Sequence, residues 1–267
     1  MSKVILITGA SSGIGKSISL FLTSKGYKVY GTCRNPKDYD ISEYELLKCD
    51  INSEVEIKAT VKYILQIENH IDVLINNAGI GITGPLEETS ELDIKSAFQT
   101  NFFGPIAIIK ECISPMRKNK NGLIINITSI LGYFGIPYRG IYCATKSSLE
   151  IVGEVFSMEL KKFNIKVVNV APGDFKTNIA ARRIDSDFNN LSFYSDDYLK
   201  SLNSANKHVD NAFSPIIVSK LIYKIIKSKN PKIHYKVGQF IQKFSIILKN
   251  ILPDRLFEKV LLYYSKN

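Results

Sequence analysis

Tyr142 and Lys146 are four residues apart in the run Tyr142-Cys143-Ala144-Thr145-Lys146, and Ser129 precedes the tyrosine by thirteen. On a helix, positions i and i+4 share a face, so an ammonium can sit beside a phenol. A free phenol titrates near a pKa of about 10 and is a poor acid or base at neutrality. A neighbouring positive charge favours the phenolate and draws that pKa toward the working range. With the Ser129 hydroxyl nearby, the group can move a proton on or off a carbonyl oxygen. The same spacing also occurs on solvated helix faces, so the rest of the chain must supply the context.

The elements that would position these residues alternate between strand and helix. Strands are expected over Lys3–Thr8, Lys28–Thr32, Glu45–Cys49, Asp72–Asn76, Leu123–Thr128, Lys166–Ala171 and, more weakly, Ile233–Val237. Runs such as Val4-Ile5-Leu6-Ile7 suit strands buried on both faces of a parallel sheet. Helical periodicity covers roughly 14–25, 54–68, 91–118, 140–163 and 215–228. This alternation predicts an α/β fold: a doubly wound parallel sheet, Rossmann-type, of about seven strands with helices on both faces. No repeat or linker divides residues 1–267, so one domain is expected. Residues 178–214 break the rhythm. They are polar and carry Phe188, Phe193, Tyr194, Tyr198 and Phe213. A connection of that length reads as an active-site lid, the alternative being a disordered insertion.

Between the first strand and first helix lies Thr8-Gly9-Ala10-Ser11-Ser12-Gly13-Ile14-Gly15. A glycine-rich turn in this context lets the backbone approach a pyrophosphate, which the helix N-terminus then binds. Ser11 and Ser12 can add hydroxyl contacts. At the end of the second strand, where an NAD site places an acid, the chain reads Thr32-Cys33-Arg34-Asn35. Arg34, with Lys16 after the glycine turn, suits a ribose 2′-phosphate. NADP(H) is therefore expected over NAD(H), which is kept as the alternative cofactor.

The bulk numbers exclude some classes. The 267 residues are 45% hydrophobic and 22% charged, as in a globular protein with a real core. The cysteines Cys33, Cys49, Cys112 and Cys143 show no metal-like spacing with the three histidines, so no metal is expected. Reduced thiols in the cytoplasm are the expectation. Val4–Ile7 is too short for a signal segment, and no apolar run is long enough to span a membrane. The net charge is +10, and residues 231–267 hold +5 of it, with seven Lys/Arg against two Asp/Glu. No zinc-finger spacing, aromatic RNA-binding motif or basic arm accompanies the charge, so nucleic acid is not expected as a partner.

Together these residues resemble the short-chain dehydrogenase/reductase family, in its short single-domain branch. Thr8, Gly9, Gly13 and Gly15 match the family's cofactor turn. Asp50, followed by Ile51, matches the acid that in the family contacts the adenine. Asn76-Asn77-Ala78-Gly79 matches the run bordering the cofactor, and Pro172-Gly173 with Thr177 matches the turn that holds the nicotinamide. Asn101, Ser129, Tyr142 and Lys146 match the catalytic tetrad. The resemblance covers residues 3 to about 180. It implies hydride transfer to a carbonyl carbon. Tyr142 would protonate the oxygen, Ser129 would hydrogen-bond it, and Lys146 would lower the tyrosine pKa and hold the nicotinamide ribose. Asn101 would position a water for proton supply. A homodimer or homotetramer built partly on the two long helices is also implied. The contrasting reading is a non-catalytic dinucleotide-binding regulator.

Ile130, Leu131, Tyr133, Phe134, Ile136, Pro137 and Tyr138 would line an apolar pocket, with Arg139 the one charge among them. A hydrophobic steroid-, retinoid- or lipid-like carbonyl or alcohol fits such a pocket. Over about 237–265, Val237, Phe240, Ile241, Phe244, Ile247 and Leu248, then Leu256, Phe257, Val260, Leu261 and Tyr264, recur at helical spacing. Two basic amphipathic helices can pack on the body or lie peripherally on a membrane, and packing is the favoured expectation. This outline resembles hydroxysteroid and retinol dehydrogenases. Cys143 is read as a packing residue and His234 as structural; His70 and His208 receive no role.

Overall fold

A computed structural model describes residues 2–177, 183–185, 193–210 and 212–266. Seven strands form one parallel sheet: β1 (Val4–Ile7), β2 (Lys28–Cys33), β3 (Glu45–Lys48), β4 (Val73–Asn76), β5 (Gly122–Ile127), β6 (Ile165–Pro172) and β7 (His234–Val237). Their spatial order is 3-2-1-4-5-6-7. Each expected strand is present with its ends moved by a residue or two. The helices are α1 (Gly13–Ser24), α2 (Glu54–Glu68), α3 (Glu91–Phe98), α4 (Gly104–Lys118), α5 (Gly140–Glu159), α6 (Ser195–Asp210), α7 (Ile216–Lys227), α8 (Phe240–Ile251) and α9 (Asp254–Lys266).

Alternation along the strands divides the core in two. Ile5 and Ile7 of β1 pack with Ile18 and Leu22 of α1 and with Val218 and Ile222 of α7. Val4 and Leu6 point the other way, onto Ile57 and Val61 of α2 and Ile108 and Cys112 of α4. Both faces of the sheet are therefore covered, which is why its strands are almost wholly apolar. The exception is a row of asparagines in register across β4, β5 and β6. The Asn76 amide donates to Asn126 at 3.0 Å, and the Asn126 amide donates to Asn169 at 3.0 Å. The Asn169 amide then donates to the Glu150 carbonyl of α5 at 2.7 Å, and Gly153 leaves room for this approach.

Three expectations need correction. The helix expected over 91–118 is two helices joined by a π-helical turn, Gln99–Phe103. Pro105 has no N–H for the Asn101 carbonyl, so the regular ladder breaks there. The helix expected over 140–163 ends at Glu159, and Lys161–Phe163 is a 3₁₀ turn. The stretch 178–214 is not plain loop: its described part holds α6 and a short strand, Ile184–Asp185, paired with Ile82–Thr83. Phe188 lies outside the described residues.

The tail packs on the body. Ile246 and Phe257 are buried, and Phe257 meets Phe134 edge-on with 5.5 Å between ring centres. The other side of α8 and α9 leaves Phe240, Ile251 and Tyr263 exposed.

Candidate active site

The site is built where β1, β4, β5 and β6 end. At Gly9 and Gly13 the backbone turns with φ of +64° and +55°, conformations that favour glycine. A side chain at Gly15 would lie 2.3 Å from the Gly9 carbonyl and 2.4 Å from the Asn77 amide. Thr8 fastens this turn to the one after β4. Its hydroxyl accepts from the Asn77 and Ala78 N–H groups at 3.0 Å each. The Asn77 side chain returns two bonds, to the carbonyls of Thr8 at 2.9 Å and Gly9 at 3.0 Å.

These turns open into a continuous cavity of about 1090 Å³. Its floor at one end is Gly9, Ser11, Ser12, Gly13 and Ile14; at the other it reaches Ser129, Tyr142 and Lys146. Arg34, Asp50, Ile51, Asn77, Ala78, Gly79, Pro172, Gly173 and Thr177 line it between. Thr177 stands over the glycine turn, 3.4 Å from where a Gly13 side chain would begin. Of the expected site residues, Gly15 and Asn101 do not line the cavity; both act from behind its wall. Lys16, offered with Arg34 as a phosphate contact, does not line it either, because α1 carries it away from the opening.

A cradle closed by glycines that tolerate no side chain, opening on an elongated cavity, fits an extended dinucleotide with its pyrophosphate at the α1 N-terminus. Arg34 and Lys48 line the cavity along with Asp50. Lys48 was not anticipated from the sequence; it pairs with Glu56 at 3.4 Å. The Asp50 carboxylate accepts from the Asn52 N–H at 3.0 Å, which fixes its direction.

At the other end Lys146 is buried, and its ammonium donates to the Ile127 carbonyl at 3.0 Å. The nitrogen stands 5.8 Å from the centre of the Tyr142 ring. Burial draws the lysine pKa down to about 8, and the charge of Glu150 opposes this. Tyr142 departs from expectation. Burial pushes its phenol up to about 12, while the Ser129 hydroxyl and then the Arg139 charge pull it down. Ser129 itself begins a 3₁₀ turn and accepts from the Leu131 N–H at 3.1 Å.

Asn101 is fully buried in the π turn. Its oxygen accepts from the Ile80 N–H at 2.8 Å. Its amide donates to the Ile80 carbonyl at 2.9 Å and to the Thr145 hydroxyl at 3.2 Å. Thr145 donates in turn to the Tyr142 carbonyl at 2.8 Å. The tetrad is thus joined through the backbone as well as across the cavity.

Sequence reasoning missed a second shell of polar groups. Glu150 is 4% exposed; it accepts from Tyr133 and contacts His234 Nδ1 at 2.8 Å. Its other oxygen has no hydrogen-bond partner among the described residues. Arg139, expected to face water as readily as the pocket, lines the cavity beside Tyr142. Gln242 of α8 grips the turn after β6: it accepts from the Asp174 N–H at 3.2 Å and donates to the Asp174 carboxylate at 2.6 Å. The i+4 relation of Lys146 and Glu150 was readable in the sequence; the Asp174–Gln242 contact, spanning 68 residues, was not.

The four cysteines are buried, and none forms a disulfide among the described residues. Among the described residues no group of histidine, cysteine or acidic side chains could hold a metal, and no helix is long and apolar enough to cross a membrane.

Comparison with known proteins gives the same picture. The family model for short chain dehydrogenase matches residues 3–187. A 3-ketodihydrosphingosine reductase of Bacteroides thetaiotaomicron is 39% identical over 97% of this chain and 96% of its own length. Among solved structures, a short-chain dehydrogenase from Streptomyces avermitilis superposes with a TM-score of 0.81 at 26% identity, covering 97% of each chain. The protein ElxO, in a structure with NADP bound, gives a TM-score of 0.74 at 27% identity over 89% of this chain and 97% of that one.

Proposed function

The chain belongs to the short-chain dehydrogenase family, whose members are oxidoreductases using a nicotinamide dinucleotide, and on that premise we propose that it reduces a long-chain lipid ketone with NADPH. The observation that carries this reading is the meeting of Ser129, Tyr142 and Lys146 at one end of a cavity whose other end is the glycine cradle. One domain would both hold the cofactor and perform the reaction.

The bound dinucleotide supplies the hydride. Around it, Gly9 to Ile14 would cradle the pyrophosphate, Asp50 and Ile51 would border the adenine, and Asn77 to Gly79, Pro172, Gly173 and Thr177 would flank the nicotinamide half. Arg34 is the feature favouring NADPH, since no acid stands at the end of β2 to bind a free 2′-hydroxyl. A phenol held near 12 stays protonated at working pH, so Tyr142 begins the reaction as an acid. It gives its proton to the substrate oxygen as charge develops there, while Ser129 donates a hydrogen bond to the same oxygen. Lys146 would hold the ribose and resupply the proton, with Asn101 positioning the water that feeds it.

The substrate wall supports a lipid. Phe134, Ile136, Ile241, Leu248, Val260 and Leu261 line the cavity beyond Tyr142, and α6 closes one side with Ser201, Ser204 and Ala205. Such a wall suits an alkyl chain. The relative named for 3-ketodihydrosphingosine favours the lipid-like member of the steroid-, retinoid- or lipid-like class, a sphingoid-like ketone. Residues 178–214 would act as a lid over it. The exposed Phe240, Ile251 and Tyr263, beside Lys243, Lys249 and Lys259, suit peripheral contact with an anionic membrane from which such a substrate is drawn. Exposed Ile151, Val155 and Met158, one stripe of α5, suit a subunit interface.

NADPH oxidation against a panel of 3-ketodihydrosphingosine, other long-chain ketones, steroids and retinal tests the reading. Turnover with the long-chain ketones is expected. NADPH binding without turnover on any carbonyl would sink it in favour of a non-catalytic regulator.

A further inference from the structure

Asp174 presents an electrostatic problem. It lines the cavity at the substrate end, and its charge acts on Tyr142, raising the phenol's proton affinity. A fixed negative charge there opposes the alkoxide that forms on the substrate oxygen. A site built for a neutral ketone gains nothing from it.

The carboxylate is nonetheless held in place. Gln242 donates to one of its oxygens at 2.6 Å and accepts from its backbone N–H at 3.2 Å. The Gln242 amide is seated where Gly173 has no side chain; a Cβ there would fall 2.0 Å from the amide oxygen. Among the described residues none of the nearby cations pairs with it. Lys146 donates to the Ile127 carbonyl at 3.0 Å, and Arg183 is held by Asp185 at 2.8 Å. Arg139 lines the same cavity, and its charge acts on Tyr142 in the opposite sense, but among the described residues it forms no ion pair with Asp174. Among the described residues Asp174 forms no ion pair, and it lines the cavity.

We infer that Asp174, oriented by Gln242, is the receptor for a substrate ammonium group placed next to the reacting carbonyl, so that the substrate class is an α-amino ketone. The inference rests on the ketone-reductase reading above and deepens it. The substrate cation cancels the charge that would otherwise oppose alkoxide formation, and a charge-assisted hydrogen bond to the carboxylate sets which face of the carbonyl meets the hydride donor. A ketone without the amine leaves the carboxylate uncompensated beside the developing oxyanion, so selection acts on kcat as well as on binding.

The test is the ratio of kcat/KM for 3-ketodihydrosphingosine, a long-chain α-amino ketone, to that for the same chain lacking the amine. Wild type is expected to favour the amine by at least about tenfold, and Asp174→Asn to bring the ratio close to one. Gln242→Leu keeps the carboxylate and removes its donor. It should lower the ratio in the same direction by less, and it serves if the Asp174 variant does not fold. Equal use of both ketones by wild type, or an equal loss on both in Asp174→Asn, overturns the inference while leaving the lipid-ketone reading intact. If neither long-chain ketone is reduced, the lipid reading fails, and short α-amino ketones against their amine-free partners give the same ratio. No preference for the amine there, including no turnover of either, overturns the Asp174 assignment.

Discussion

Glu150 stands one turn of α5 beyond Lys146, and its charge raises the proton affinity that burial of the lysine lowers. The active-site ammonium is therefore held by a carboxylate that faces Tyr133 and His234 rather than the cavity. Reductive kcat/KM should fall above about pH 8, as Lys146 loses its proton. Glu150→Gln removes the opposing charge, so the alkaline limb should move to lower pH while the amide keeps the Tyr133 contact. A limb that stays in place, measured with saturating cofactor, means Lys146 is not the group titrating. Stability runs the opposite way with pH. The unfolded chain keeps the Lys146 proton up to about 10.5 and the folded chain only to about 8. Folding releases a proton across that window, and the lysine's contribution to stability rises with pH.

Tyr142→Phe tests the proton donor. The phenol at the substrate end remains protonated at neutral pH, with burial holding it up to about 12. Loss of general acid help typically removes about 10²–10⁴ in rate. Turnover should fall by that order while NADPH affinity, followed by fluorescence titration, stays within about threefold, since the cradle is untouched. A variant retaining a third of wild-type kcat would remove Tyr142 from the mechanism.

Asn101→Ala strips both backbone groups of Ile80 of their partner at once. Each buried polar group left unsatisfied costs about 1–3 kcal/mol. A drop of several degrees in Tm is expected, at about 2–4 °C per kcal/mol for a chain of this size. Thr145 links Asn101 to the Tyr142 turn, so kcat should fall more than the KM for NADPH rises. Wild-type Tm and kcat together would show that the clamp does not support the site.

Arg34→Asp addresses the cofactor. An acid at the end of β2 repels a 2′-phosphate and can bind a free ribose hydroxyl. The kcat/KM ratio of NADPH to NADH should fall at least about tenfold. A wild-type enzyme that already prefers NADH would overturn the assignment.

The sheet was legible because its strands carry the signature of two-sided burial. Ile5 and Leu6 are adjacent and both fully buried, one on each face, so the apolar run needs no alternation to be recognised. Glycine context exposed the cradle for a similar reason: Gly9, Gly13 and Gly15 are close in sequence and act together. What was hidden depends on distance along the chain. Asn76, Asn126 and Asn169 look like interruptions of apolar strands, and only the register makes them a hydrogen-bonded row. The helix α6 was missed because its sequence, with Asp196, Asp197, Asn203 and Asn206, is polar overall and its stripe of Tyr198, Leu202 and Ala205 is narrow; Tyr198 and Ser204 are what it buries. The burial that raises the Tyr142 phenol was hidden as well. Spacing places two groups on one face but says nothing about how much water is removed from each.

Gln242 pins α8 to the turn after β6, and Phe257 seats α9 against Phe134. The chain therefore divides its labour by position. Residues before 178 form the cradle and the proton site, whereas Ile241, Leu248, Val260 and Leu261, all beyond β7, furnish the apolar end of the cavity. Grafting 238–266 from a relative onto this body should transplant a preference for chain length while leaving the stereochemical course of reduction untouched. The graft must carry a glutamine at the position of Gln242, a polar stitch by which the two parts are sewn together at Asp174.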